Sequence, residues 1–227
     1  MPGREIQFST DEIYHIFTKT LDHKSIFRDN SYPNLFLKIL HYYRSSAVTV
    51  SFSDFKNLPE ENKIRLQKKI DMRKYFHIEV LSYCIMPTHF HLLIRQVREK
   101  GITTCISNTL NSFTRTYNLL SERMGPIFLR PFKSVEVRSR EQFIHVSRYI
   151  HLNPYSSSIV SSFNELLEYP YSSIKTYLNT TLNPLISDSA LLLGEFQNDC
   201  NKYKNFLLDN ADYQQHLERL KYLQKWE

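Results

Sequence analysis

HIEVLSYCIMPTHFHLLIRQV, residues 77–97, decides the fold. It holds two β-rich runs, 77–86 and 89–97, with only Pro87 and Thr88 between them. Two such runs joined by so short a turn predict an antiparallel hairpin. Side chains alternate across a strand. His89 and His91 therefore share one face, with Phe90 and Leu92 on the other. Two imidazoles side by side can chelate one divalent ion. The plainer alternative is a pair of polar residues on the wet face of a hairpin, and H-x-H alone does not decide between them.

Outward from the hairpin, DEIYHIFTK (11–19) alternates at Ile13, His15 and Phe17 and predicts a strand. Ser31 to Tyr43 carries Leu35, Phe36, Ile39, Leu40 and Tyr43 at helical spacing, with Ser31 as the candidate N-cap. Residues 47–76 are charged and read as an insertion with a short helix after Pro59. Residues 102–123 predict a helix with Ile106, Leu110, Phe113, Tyr117 and Leu120 on one stripe, ended by Gly125-Pro126. FKSVEVRS (132–139) alternates and predicts a strand. Glu141 to Leu152 predicts a helix through Phe143, Val146 and Ile150 that stops before Pro154. The rest is mostly helical, broken by a Ser/Asn/Thr-rich stretch around 172–184. The predicted class is α+β: a ferredoxin-like (RRM-like) antiparallel sheet with helices on one side, plus a helical C-terminal tail.

The 227 residues carry a net charge of +6. A basic balance bears on partners rather than fold, and nucleic acid is the commonest partner of such a chain. The 15 Tyr and 15 Phe offer stacking surfaces for bases, although most must serve the core. Between residues 113 and 148, seven basic side chains (Arg115, Arg123, Arg130, Lys133, Arg138, Arg140, Arg148) face three acids, Glu122, Glu136 and Glu141. Such an excess can track phosphates, or be a solvated charged surface. Phe128 and Phe132 interleave with these cations and can stack on bases or pack in the core. The three cysteines, Cys84, Cys105 and Cys200, form no CxxC pair, which argues against a zinc ribbon or a disulfide framework and for a reducing compartment. No signal-peptide pattern and no run of eighteen apolar residues occurs, so the expected location is cytoplasmic, with no membrane partner.

The second motif is RYIHLNP, residues 148–154. On a helix, positions four apart are neighbours, so Tyr149 and Asn153 lie on one face. A tyrosine hydroxyl can attack phosphorus and form a covalent phosphotyrosine. An asparagine carbonyl one turn away can complete a metal shell begun by two histidines. The alternative is a core aromatic followed by a helix cap. Arg148 and His151 stand close to Tyr149 in sequence, but residues adjacent on a helix point about 100° apart, and neither is assigned as a general base.

Taken together the segments resemble the single-tyrosine HUH transposases, the IS200-like superfamily, and within it the REP-associated tyrosine transposases. YHIFTKTLDHKSIFRD (14–29) resembles the opening strand and loop. VLSYCIMPTHFHLLIR (80–95) resembles the histidine–hydrophobic–histidine strand, and GPIFLRPFKSVEV (125–137) the Gly-Pro, aromatic, basic segment. SRYIHLNPYSSSIV (147–160) resembles the tyrosine helix and YPYSSIKTYL (169–178) the start of the REP-associated tail. The resemblance implies an HUH nuclease domain over 1–162, interrupted by the 47–76 insertion, and a tail over 163–227 packing on it. It implies Tyr149 as nucleophile and His89, His91 and Asn153 as ligands of Mg2+ or Mn2+; two imidazoles would also suit zinc or nickel. It further implies cleavage and rejoining of single-stranded DNA beside hairpins through a 5′-phosphotyrosine. Arg115, Arg123, Arg130, Lys133, Arg138 and Arg148 are the candidate DNA contacts. A monomer is expected rather than a homodimer. Three features depart from the pattern: the insertion is longer than the compact core needs, Tyr155-Ser156 follows Asn-Pro, and Asn153 stands where more distant transposases carry glutamine. The alternative functions are a domesticated DNA-hairpin-binding regulator with weak or no cleavage, and a metal-dependent hydrolase of a small substrate.

Overall fold

The computed structural model describes residues 7–178, 183–186, 188–211, 213, 214 and 216. Four strands, β1 (Ile13–Lys19), β2 (Ile78–Met86), β3 (His89–Gln96) and β4 (Lys133–Val137), form one antiparallel sheet in the order β2-β3-β1-β4. The chain separates into two compact units. The first comprises residues 1–79, 87–89 and 94–136; the second comprises 80–86, 90–93 and 137–227. Strands β2 and β3 thus contribute residues to both.

In the first unit, α1 (Ser31–Tyr43) buries Pro33, Phe36, Ile39, Leu40 and Tyr42; the predicted stripe holds at Phe36, Ile39 and Leu40, while Leu35 and Tyr43 are only half-buried. Ser31 is not its N-cap but its first helical residue. The Asp29 carboxylate takes the Ser31 N–H at 2.8 Å, so the acid two residues upstream satisfies the free donor. Helices α2 (Phe52–Asn57) and α3 (Glu60–Ile70) occupy the charged 47–76 stretch, α3 starting directly after Pro59. Helix α4 (Gly101–Leu120) packs on α1. Its stripe holds through Ile106, Leu110 and Phe113, but Leu120 is 63% exposed and the helix ends there, before Glu122 takes a positive φ of 47°. Phe27, Phe36, Phe113 and Phe128 form one aromatic cluster with centroids 5.3–6.4 Å apart. Phe128 and Phe132 are buried, Phe132 stacked on Phe8, so both rings serve packing.

The second unit is built on α5 (Arg140–Ser156) and the tail helices α6 (Phe163–Glu168), α7 (Ile174–Tyr177), α8 (Ala190–Leu193) and α9 (Cys200–Leu208). Ser139 Oγ accepts the Gln142 N–H and Gln142 Oε1 accepts the Arg138 N–H, a reciprocal cap that starts α5. The helix does not stop before Pro154, as its sequence predicts, but runs on to Ser156. Proline removes one donor, the bond to the carbonyl four residues back. Pro154 is buried, and the Ser157, Ile159 and Val160 N–H groups take up the Asn153 and Pro154 carbonyls. Packing thus outweighs one lost bond, and Asn153 lies inside the helix rather than at its end.

Strand β2 is buried at all nine positions. The tail accounts for this in the second unit. Ile85 N–H bonds to Tyr171 O at 2.9 Å and Ser173 N–H to Tyr83 O at 3.0 Å. Ser172 bridges Cys84 antiparallel and Ile186 bridges Val80 in parallel. The hydroxyls of Tyr169 and Tyr177 donate to the carbonyls of Ile85 and Leu81. Tyr169, Tyr171, Ser173 and Tyr177 thus satisfy backbone groups that the sheet leaves free on the outer side of β2. Among the described residues no helix is long and apolar enough to cross a membrane.

Candidate active site

His89 opens β3 and His91 follows two residues later, so the pleat turns both imidazoles to one side of the strand. His89 is half-buried, and its Nδ1 lies 3.0 Å from Thr88 Oγ1. When that nitrogen carries the proton and donates to Thr88, Nε2 keeps its lone pair for a ligand. His91 is buried at 6% exposure. In the second unit its ring meets that of Tyr149 edge to face, centroids 5.3 Å apart at 86°. Tyr149 comes from α5, half-buried, its carbonyl accepting from Gln214 Nε2 at 3.2 Å. Asn153 follows one turn later on the same helix face and is 3% exposed. Its Oδ1 accepts a long bond from Ser157 Oγ at 3.4 Å. The two motifs recognised in sequence, one on a strand and one on a helix, therefore meet through His91 and Tyr149.

Several other tyrosines are buried in the core. Burial pushes the phenols of Tyr42, Tyr83, Tyr169, Tyr177 and Tyr203 above their ordinary range. Tyr42, Tyr169 and Tyr177 also spend their hydroxyl protons on backbone carbonyls. Groups so held are structural. Two thiols are held in the same way: burial raises Cys84, and raises Cys105 to about 12.

Among the described residues no three His, Cys, Asp or Glu side chains converge on a point where an ion could bind. The amide oxygen of Asn153 is a neutral donor by its chemistry, as the neutral imidazole is.

The candidate DNA contacts fall in both units. Arg115 is exposed on α4 and Lys133 is exposed at the start of β4. Arg123 pins the turn after α4, donating to Asn118 Oδ1 at 2.8 Å and Pro126 O at 3.3 Å. Arg130 donates to Asn111 Oδ1. Arg138 is exposed just before α5. Arg148 lies over the Phe206 ring at 4.5 Å and contacts His145 Nδ1 at 2.9 Å, so its head group is turned toward the tail.

No family model matches the chain, and no characterised protein matches it by sequence. Among solved structures, that of a REP-associated tyrosine transposase bound to a REP hairpin covers 83% of this chain and 93% of that one, with a TM-score of 0.51 at 13% identity. The two chains are alike in fold. Of the residues singled out in the sequence, the structure brings His91 and Tyr149 into contact and places Asn153 one turn further along α5. The contacts of Thr88 with His89, of Gln214 with the Tyr149 carbonyl, and of His151 with residues 22 and 52 positions away belong to no local sequence pattern.

Proposed function

We propose that the chain cleaves and rejoins single-stranded DNA beside hairpins, with Tyr149 as nucleophile. The observation that carries this reading is the edge-to-face contact of Tyr149 with His91 in a chain that shares the fold of a hairpin-bound tyrosine transposase. His89, His91 and Asn153 would hold a divalent ion, Mg2+ or Mn2+. Such an ion supplies Lewis-acid stabilisation of charge on a non-bridging phosphate oxygen. The residues of the chain do the rest. Tyr149 Oη forms a bond to phosphorus as the bond from phosphorus to the 3′ oxygen breaks. The phenol proton leaves Tyr149, and the departing 3′ oxygen takes up one proton, so the balance closes without ATP. The 5′ phosphate stays on the tyrosine, and a returning 3′-hydroxyl reverses the step. The exposed cations of α4, β4 and the α5 start would track the phosphates.

The test uses a hairpin oligonucleotide with a single-stranded flank, incubated with Mg2+ or Mn2+ and run on a denaturing gel. The parent chain is expected to give a covalent protein–DNA adduct that chelator abolishes. Tyr149→Phe is expected to lower adduct formation by ~100-fold or more while hairpin affinity stays within about twofold. Hairpin binding by the parent without any adduct would instead establish the regulator reading. Adduct formation that survives Tyr149→Phe would remove Tyr149 from its role.

A further inference from the structure

His151 stands between Tyr149 and Asn153 in sequence, but two residues along an α-helix turn a side chain by about 200°. It therefore leaves α5 on the side away from both. There it is fully buried, and nothing in the proposed reaction uses it. Its Nδ1 lies 2.6 Å from the Tyr203 hydroxyl of α9 and its Nε2 2.8 Å from Ser173 Oγ. Ser173 is itself tied to β2, because its Oγ accepts the Tyr83 N–H at 2.9 Å and its own N–H reaches Tyr83 O at 3.0 Å. Tyr203 also reaches Ser147 Oγ, one turn back on α5, at 3.5 Å. The Tyr177 and Tyr203 rings flank the imidazole at 5.4 and 5.9 Å. Burial holds the His151 pKa down to about 3, so the ring is neutral, with one N–H and one lone pair. One hydroxyl must then donate to it and the other must accept.

Apolar packing is non-directional and tolerates rotation of a helix about its axis. Two hydrogen bonds at opposite ends of one planar ring, each to a different element, do not. A tyrosine oxygen stands ~9 Å from its helix axis, so a rotation of only ~7° moves it by ~1 Å. A displacement of about 1 Å at a reacting atom can cost roughly 100-fold in rate.

We propose that His151, clamped between Ser173 and Tyr203, is a positioning residue that sets the rotation of α5 and thereby aims Tyr149 at His91. The inference rests on Tyr149 being the reacting group of the proposed function.

His151→Phe keeps a buried ring and removes both bonds; Tyr203→Phe removes one. Each is compared with the parent by thermal unfolding, by hairpin affinity, by the single-turnover rate of adduct formation, and by the 19F resonance of fluorotyrosine placed at position 149. In His151→Phe the rate is expected to fall ~10- to 100-fold, with affinity within about twofold and a shifted or broadened resonance at 149. Tyr203→Phe should change both readouts in the same direction by less, and it carries the test if His151→Phe does not fold. The proposal is overturned if the folded variants keep the parent's rate and 149 resonance. It is equally overturned if rate and affinity fall together, in step with the folded fraction. A parent that forms no adduct sinks the nuclease reading alone, since the resonance still shows whether His151 positions Tyr149.

Discussion

Glu79 keeps a charge in a place where charge is costly. Its side chain is 4% exposed, yet Arg73 and Arg95 each donate to it, Arg95 Nε at 2.9 Å. Burial alone would raise its carboxyl; the two guanidinium partners outweigh that and hold it below the usual range. Removing one member of such a cluster leaves the others uncompensated. Arg73 is more than half exposed, so water screens part of the effect. Glu79→Gln is therefore expected to cost ~2 kcal/mol, toward the low end for a broken buried pair, read as a lower urea midpoint at unchanged slope. A neighbouring position tests steric fit instead. A Cβ on Gly101 would lie 2.2 Å from His77 O, which is backbone and cannot turn aside. Gly101→Ala should destabilise by at least ~2 kcal/mol through this clash, despite alanine's better helix propensity; a variant as stable as the parent would show that the start of α4 can shift freely.

At the scale of elements, what local pattern governs was legible in the sequence. The hairpin of β2 and β3, α1, and the start of α3 after Pro59 follow period and punctuation. The placement of His89 and His91 on one strand and of Tyr149 and Asn153 on one helix was legible for the same reason, since each pair needs only the pleat or the helical repeat to align its members. Three features were not. Helix α5 passes through Pro154 because buried packing compensates one missing bond, and a propensity rule sees the bond but not the packing. Leu120 continues the α4 stripe in sequence, yet the core no longer lies beneath it. The pairing of Tyr171, Ser172, Ser173 and Ile186 with β2 has no periodic signature, because backbone groups and tyrosine hydroxyls make it rather than a spaced row of apolar side chains. The clamp on His151 escaped notice for a related reason: a buried histidine and a buried serine look the same in sequence whether or not a partner meets them.

At the scale of the whole chain, the histidines govern the response to acid. Burial lowers His151 to about 3 and His15 to about 4, and burial with the nearby Arg44 lowers His41 to about 4 against the pull of Asp71. An unfolded histidine titrates near 6.5. Below that pH the unfolded chain takes up protons that the folded chain refuses until about pH 3 to 4. Stability therefore falls as pH drops through this window, by up to ~1.4 kcal/mol per pH unit for each such histidine. Urea unfolding between pH 7 and pH 4.5 is expected to show a steep loss, shallower by about one proton in His151→Phe. An unchanged midpoint across that range would contradict the burial of these rings. Residues 169–186 set a different limit on what can be done with the protein. A chain cut after Glu168 would bare the mostly apolar stretch from Val80 to Ile85, with amides and carbonyls open to any matching strand. Two shortened molecules would then supply one another's missing border, growing into soluble oligomers or fibrils. Lost DNA activity in such a fragment would report clumping before it reported anything about catalysis.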